Sequence, residues 1–185
     1  MLRLVDVKKR FGQIRAVDGL TLDIARGEVF GLLGPNGAGK TTALSMVMGL
    51  LAPDSGSIEI EGHGPTHEPR VRRIIGVAPQ TLALYDDLSA AENLAFFASL
   101  YGIGKTEARK RAAELLSLVG LDDRAKDRVK GFSGGMKRRL NLAAALVGDP
   151  EILLLDEPTA GVDPQSRQNI VDAVVALRQR GRTIV

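Results

Sequence analysis

The fold is decided by the stretch Gly34-Pro35-Asn36-Gly37-Ala38-Gly39-Lys40-Thr41. It matches the pattern G-x-x-x-x-G-K-[ST], which forms a phosphate-binding loop when a buried strand precedes it and a helix follows it. The continuous apolar run at 29–33 predicts that strand, and residues 41–49 predict the helix. Glycines let successive backbone N–H groups face a phosphate, and the helix N-terminus adds partial positive charge. We therefore expect a nucleotide-phosphate site here, with Lys40 as its cation.

The composition is that of an ordinary globular domain. With 185 residues, 44% of them hydrophobic and 25% charged, the sequence predicts one domain with a sizeable core. The net charge of +3 is too small to indicate a nucleic acid partner. Because cysteine is absent, disulfide frameworks and thiolate chemistry are excluded. We find no signal-peptide pattern and no apolar run of about 18 residues, so we expect any membrane-spanning part to be a different chain.

Strand and helix patterns alternate along the rest of the chain. Apolar and polar residues alternate near the N-terminus, which predicts antiparallel strands. Ser89 and Glu92 have the spacing of a capping box and open a helical stretch. We predict an α/β fold, with a P-loop NTPase core around a mostly parallel central sheet, an N-terminal antiparallel β subdomain and an inserted α-helical subdomain. The core is placed at about 1–80 and 133–185, and the helical subdomain at about 81–132.

Two carboxylates, Asp156 and Glu157, follow the apolar strand predicted at 152–155. In phosphate-loop enzymes, an Asp in this position holds Mg²⁺. Side chains alternate along a strand, so we expect Glu157 to point elsewhere, towards a water beyond the γ-phosphate, as a general base. The loop and the carboxylates together indicate nucleotide hydrolysis or phosphoryl transfer. They do not separate a kinase, a GTPase and a transport ATPase.

A third motif separates these classes. Phe132-Ser133-Gly134-Gly135-Met136-Lys137-Arg138-Arg139-Leu140 resembles the signature of the ATP-binding cassette (ABC) family. Ser133 is suited to cap a helix, and two glycines leave the first backbone N–H groups open to an anion. A chain with one phosphate loop and a second anion site suggests that two copies meet. The basic runs 8–10 and 137–139 are interpreted as solvated faces.

The resemblance assigns roles to individual residues. Phe11 is similar to the aromatic that stacks on adenine, with Val17 beside it. Gln80 resembles the glutamine that touches Mg²⁺ and the attacking water, and Asp163 lies in a loop that resembles the one crossing the dimer interface; Asp163 also suits an N-cap. Glu157, Lys40 and Gln80 would be catalytic, and Mg²⁺ would bind Thr41, Gln80 and Asp156. ATP would lie against Phe11, Val17, Gly34, Pro35, Asn36, Gly37, Ala38, Gly39, Lys40, Thr41 and Thr42, and against Ser133, Gly134 and Gly135 of the other copy.

The resemblance also implies partners. Met136 stands where Gln is commonest, which is similar to the subgroup that drives export permeases. We therefore expect a second nucleotide-binding subunit and an integral membrane permease as partners, no nucleic acid, and a location on the cytoplasmic face of the cell membrane. The cofactors would be ATP and Mg²⁺.

Two alternatives stay open. One is a soluble ABC ATPase of DNA repair or translation. Proteins of that kind resemble longer chains with a coiled-coil insertion or tandem cassettes, and this sequence has neither feature. The other is a chain that binds ATP without turnover. Family members carry a switch histidine shortly after the strand that begins at Thr183, and neither His63 nor His67 matches it. We therefore expect the sequence to be part of a longer subunit.

Overall fold

The structure, a computed structural model, describes residues 1–35 and 37–185. In chain order the strands are β1 (Leu2–Phe11), β2 (Ile14–Ile24), β3 (Ser55–Ile60), β4 (Gly64–Pro65), β5 (Ile75–Ala78), β6 (Ile152–Leu155) and β7 (Thr183–Ile184). The helices are α1 (Lys40–Val47), α2 (Pro69–Arg72), α3 (Ala90–Leu100), α4 (Lys105–Leu118), α5 (Gly134–Ala145) and α6 (Pro164–Gln179). The predicted α/β class is confirmed.

The N-terminal strands form an antiparallel sheet in the order β2-β1-β3-β4. Leu2 pairs with Ile24 on one side and with Ile60 on the other, so three strands share one buried row. The register shifts after Leu4, and burial resumes at Val7 instead of at the next alternate position. A bulge of this kind keeps both halves of a long strand facing the same core. The predicted antiparallel part is confirmed.

The second sheet is parallel, in the order β5-β6-β7. The central strand β6 is buried on both faces, which explains its continuous apolar sequence. Ala78 pairs with Leu155, so β5 and β6 end at the same edge of the sheet. Gln80 and Asp156 follow the ends of these two strands in the chain. Sites in α/β folds lie at such carboxyl edges.

The apolar run at 29–33 does not form the predicted strand. Val29 makes a single parallel bridge to Ile184, and the Phe30 N–H donates to the Ile184 carbonyl at 2.8 Å. Residues 31–35 have no regular secondary structure, and Leu33 is 93% exposed. The prediction was wrong because apolar composition alone does not make a strand. The neighbouring strand β7 supplies backbone partners for this segment only around Ile184.

Two apolar cores lie on opposite sides of the parallel sheet. Ile152 and Leu154 of β6 belong to the core shared by α1 and the antiparallel sheet. Leu153, between them, belongs to the core formed with α3, α4, α5 and α6. Alternate side chains of one strand thus enter different cores. Helices α3 and α4 pack on α5 within a single apolar cluster.

The start of α3 has the predicted capping box. The Ser89 hydroxyl accepts from the Glu92 N–H at 3.2 Å, and the Glu92 carboxylate accepts from the Ser89 N–H at 2.8 Å. These hydrogen bonds hold the pKa of Glu92 below its ordinary value. None of the helices in the described part of the chain combines the length and the apolar character needed to cross a membrane.

Candidate functional site

The phosphate loop connects the segment after Phe30 to α1. Gly37 and Gly39 have φ angles of +82° and +85°, in the left-handed region that favours glycine. A Cβ on Gly39 would overlap the Ala16 carbonyl oxygen of β2, so the loop lies directly against that strand. Asn36, which the sequence assigns to the loop, lies outside the described residues. The described part of the loop has its backbone conformation fixed by glycine at two positions.

Lys40 points back across this loop. Its ammonium donates to the Gly34 carbonyl at 2.6 Å and to the Pro35 carbonyl at 3.0 Å. Gly34 and Pro35 are exposed, so the loop is open to a ligand. Thr41 is exposed in the first turn of α1, and Thr42 beside it is half-buried. A cation and a helix N-terminus therefore meet at one open loop, which suits a phosphate group.

Phe11 and Val17 occupy different environments. Phe11 ends β1 with half of its surface exposed, and the Lys9 ammonium lies 5.9 Å from its ring centroid. Val17 is buried, and its methyl group lies 3.2 Å from where a Cβ on Gly39 would be. Phe11 thus offers an exposed aromatic face for stacking, whereas Val17 packs against the phosphate loop at Gly39.

Asp156 and Glu157 follow β6 in different ways. The Asp156 N–H donates to the Ala78 carbonyl at 3.1 Å, which holds half-buried Asp156 at the end of the sheet. Glu157 is exposed and has a φ of +49°. Strand alternation does not set the direction of Glu157, contrary to the prediction, because β6 ends at Leu155. A left-handed backbone turns the carboxylate away instead, at a cost of about 1–2 kcal/mol for a residue with a side chain.

Gln80 and Glu157 are in contact although 77 residues separate them. The Gln80 amide Nε2 donates to the Glu157 carboxylate Oε2 at 3.2 Å. This contact brings the ends of β5 and β6 together through side chains. An amide donor on one carboxylate oxygen fixes the carboxylate and leaves its other oxygen able to accept a proton or hold a water.

The signature segment begins α5. The Ser133 hydroxyl accepts from the Met136 N–H at 3.2 Å, which confirms the predicted cap. Ser133 and Gly134 are exposed, and a Cβ on Gly134 would meet nothing within 4 Å. Gly135 differs, because a Cβ there would overlap the Ser166 hydroxyl and approach the Asp163 carboxylate to 2.6 Å. Close packing therefore explains why residue 135 is glycine. No neighbouring residue within the described part of the chain explains the glycine at position 134.

Asp163 caps α6 beside that segment. Its carboxylate accepts from the Ser166 N–H at 2.8 Å, which confirms the predicted N-cap. Hydrogen bonds from Ser166 lower the pKa of Asp163. Because Gly135 contacts both residues, the N-termini of α5 and α6 lie side by side. The loop before Asp163 is thereby fixed next to the signature.

The two signature glycines should respond oppositely to alanine. In Gly134→Ala the methyl group enters open space, and alanine favours the helix by up to about 1 kcal/mol, so the free energy of unfolding should rise or stay constant. In Gly135→Ala the added methyl group overlaps α6, and the free energy of unfolding should fall by about 1–3 kcal/mol. Urea denaturation of the two variants measures the difference. Equal destabilisation by both substitutions would contradict the close packing of Gly135 against α6.

The basic run at 137–139 was wrongly interpreted as a solvated face. Lys137 pairs with Asp86 at 2.7 Å, and Arg138 donates to the Gln80 carbonyl at 2.6 Å. Arg139 is only 9% exposed and donates to the Val119 and Gly120 carbonyls at 2.8 and 2.7 Å. Its burial lowers the pKa of the guanidinium. The missed signal is helical spacing, because Arg139 lies three and four residues before two buried apolar residues of α5.

The site has oxygen ligands for a divalent cation but no amino-acid cluster that would bind one alone. Thr41 offers a hydroxyl, Asp156 a carboxylate and Gln80 an amide carbonyl, the hard donors that Mg²⁺ prefers. Within 1–35 and 37–185, no three His, Cys, Asp or Glu side chains converge into a metal site. The chemistry of these three donors fits Mg²⁺.

Residues 17–160 match the family described as "ABC transporter". The linearmycin resistance ATP-binding protein LnrL of Bacillus subtilis (strain 168) is 49% identical over all of this chain, which covers 60% of LnrL. The Nod factor export ATP-binding protein I of Paraburkholderia xenovorans (strain LB400) is 47% identical over 97% of this chain and 59% of its own length. The chain thus spans about three fifths of these curated relatives.

A solved structure has the same architecture. It is the dimeric ATP-binding cassette MJ0796 in a post-hydrolysis state bound to ADP and Pi, with a TM-score of 0.88 and 30% identity. The match covers all of this chain and 86% of that one. The fold, the matched residues and the relatives agree: the chain belongs to the ATP-binding cassette (ABC) transporter family.

Proposed function

We propose that this chain is the ATP-binding and ATP-hydrolysing part of an ABC exporter, which powers transport through a separate membrane permease. The observation that carries the proposal is the hydrogen bond between Gln80 and Glu157 at the carboxyl edge of the parallel sheet. It joins a carboxylate suited to act on water with the segment that leads into the helical part of the chain. Family membership and the open phosphate loop support the same reading.

Nucleotide binding begins at the phosphate loop. Lys40 lies over the loop carbonyls of Gly34 and Pro35 and would exchange these contacts for the β- and γ-phosphates. The N-terminus of α1 adds its partial positive charge. The exposed ring of Phe11 would stack on the adenine, while buried Val17 keeps the loop in place. Backbone N–H groups from Gly37 to Thr42 would face the phosphates.

Thr41, Gln80 and Asp156 are proposed to hold Mg²⁺ with the nucleotide. When bound, the cation offsets negative charge that develops on the phosphate oxygens. Asp156 is kept at the end of β6 by its backbone hydrogen bond to Ala78, the last residue of β5. Thr41 lies in the first turn of α1, directly after the loop.

Glu157 is proposed to orient the attacking water and to accept its proton. Gln80 would keep one carboxylate oxygen occupied, so that the other oxygen faces the water. The left-handed backbone at Glu157 holds the carboxylate in a strained but defined direction. Lys40 would stabilise the charge on the transferring phosphoryl group. These residues together favour hydrolysis over simple binding.

Two copies are proposed to share each ATP. Ser133 and Gly134 are exposed at the start of α5, and Gly134 has no neighbour that explains the missing side chain. A close-approaching ligand supplies that reason, because only a glycine leaves the backbone N–H groups fully accessible. Ser133, Gly134 and Gly135 of one copy would close on the phosphate loop of the other, with Asp163 at the interface. The cassette whose structure is described as dimeric and bound to ADP and Pi is a precedent.

Export is the proposed use of this cycle. The relatives are named for linearmycin resistance and for Nod factor export, so an organic molecule is the class of cargo we propose. The helical subdomain at about 81–132 would dock on the permease, while about 1–80 and 133–185 form the ATP-binding core. The subunit would then lie on the cytoplasmic face of the cell membrane. The test is purification of the subunit from its own cells. If no membrane protein is recovered with it, a non-transport ABC ATPase is favoured instead.

Mixing two inactive variants tests the shared site. Lys40→Met damages the phosphate loop, and Ser133→Arg blocks the signature. In a dimer of one of each, both defects fall in one site and the other site is intact, so random mixing should restore about a quarter of the sites. We expect the mixture of subunits expressed from the complete gene to hydrolyse ATP, whereas each variant alone does not. A mixture no faster than the two separate variants would reject the shared site.

A further inference from the structure

The helix that begins with the signature also holds the backbone next to the hydrolysis site. Arg138 of α5 donates to the Gln80 carbonyl at 2.6 Å and approaches the Pro79 carbonyl at 3.4 Å. Asn141 donates to the Pro79 carbonyl at 3.1 Å. Residues three apart on a helix share a face, so both donors reach the Pro79 carbonyl, and Arg138 also reaches the Gln80 carbonyl. We call this group of contacts the α5 clasp.

The α5 clasp rests on closely packed elements. Asn141 is 3% exposed, and a buried amide strongly prefers to keep its hydrogen bond. A Cβ on Gly76 of β5 would overlap the Ala145 carbonyl near the end of α5, so helix and strand are already in backbone contact. The position of the Pro79 and Gln80 carbonyls therefore follows the position of α5. A flexible surface contact would not impose this.

The clasp connects two functional ends. On one side, Ser133 and Gly134 lie about one helical turn before Arg138. On the other side, the Gln80 side chain donates to the Glu157 carboxylate. A short path of contacts thus runs from the exposed helix N-terminus through Arg138 and Gln80 to Glu157. Its two ends face different ATP molecules in the proposed dimer.

We propose that Arg138 and Asn141 are positioning residues that couple occupancy of the signature by one ATP to the Gln80–Glu157 pair that acts on the other ATP. The inference rests on the proposed function, because the dimer places the signature and Glu157 of one chain at separate nucleotides. A phosphate bound at the N-terminus of α5 biases the position of the helix, and the clasp carries that bias to the Gln80 carbonyl. Neither residue touches nucleotide; both act through Gln80.

Steady-state kinetics of Arg138→Met provide the first test, with the subunit expressed from its complete gene. Loss of the clasp should lower kcat on the order of 10- to 100-fold, because small displacements of a positioned group cost rate steeply. KM for ATP should change less than about twofold, because the phosphate loop is untouched. Arg138→Lys keeps one donor and should recover part of the rate. Lys137→Met is the matched control: it removes a neighbouring cation that contacts Asp86 and not Gln80.

A spectroscopic measurement decides the inference without turnover. The side-chain amide resonances of Gln80, assigned through their loss in Gln80→Ala, should shift in Arg138→Met and stay in place in Lys137→Met. Unchanged Gln80 resonances, or a raised KM with an unchanged kcat, would overturn the proposed coupling. If the unsubstituted subunit does not hydrolyse ATP, the proposed function fails, and the Gln80 resonances alone decide whether the clasp positions this side chain.

Discussion

Replacing Glu157 with glutamine should lower the rate of ATP hydrolysis by about 10²-fold or more while leaving ATP binding intact, since general-base contributions are typically of that size. Glutamine keeps the shape of the side chain and can still contact Gln80, but it cannot accept a proton from water. Binding of ATP depends on the phosphate loop, which the substitution does not touch. With hydrolysis blocked, ATP should therefore accumulate in a closed dimer. Phosphate release and size-exclusion chromatography with ATP measure the two effects.

Glu151→Gln is the matched control for this prediction. Glu151 precedes the same strand at its opposite end, where its carboxylate contacts Arg26 at 2.8 Å and His63 at 3.2 Å. The same chemical change there should leave the rate within about twofold, because Glu151 lies at the other end of the strand and solvent-accessible charge pairs contribute little. If Glu157→Gln hydrolyses ATP at the unsubstituted rate, Glu157 is not the base.

Gly39→Ala should abolish measurable ATP binding and destabilise the chain by about 3 kcal/mol, a value at the upper end for overpacking. The added methyl group would overlap the Ala16 carbonyl oxygen and press on Val17, and the backbone angle of +85° adds strain. The loop must move away from β2 to relieve the overlap. Lys40 is the next residue, so its ammonium would be displaced as well. Equilibrium binding of a fluorescent ATP analogue and urea denaturation give the two values.

Gly37→Ala separates strain from overlap. Gly37 has nearly the same φ, +82°, but a Cβ there meets nothing within 4 Å. Its cost should be limited to the left-handed backbone, about 1–2 kcal/mol. Should Gly39→Ala be no worse than Gly37→Ala in both measurements, contact with β2 does not shape the loop.

Local signals in the sequence predicted the elements that local physics determines. The S-x-x-E spacing predicted the capping pair Ser89 and Glu92, and a capping residue type at a helix start predicted the caps at Ser133 and Asp163. The structure has all three, because these hydrogen bonds join residues only three apart. The buried strand β6 was found because both of its faces are apolar. Such features need no knowledge of distant neighbours.

Features that depend on residues distant in the chain could not be predicted from the sequence. Residues 29–33 have strand-like composition, but pairing depends on a neighbour more than 150 positions away, and only Val29 and Phe30 obtain it. The left-handed conformation of Glu157 has no compositional signal, because glutamate rarely adopts it. Arg138 looked like a solvated cation, since the Gln80 carbonyl that it binds is 58 residues earlier. Long-range pairing, backbone strain and buried cations can therefore be identified only from the structure.

The division of β6 between two cores has a consequence for how the chain unfolds. Ile152 and Leu154 contribute to one core and Leu153 to the other, within a strand of four residues. If either core becomes exposed to solvent, β6 loses its packing contacts on that side. The other core then loses the β6 side chains that line it. Opening of one side should therefore destabilise the other, and we expect both sides to open in one cooperative transition. We then expect the carboxylates at the end of this strand to lose their positions only in that transition.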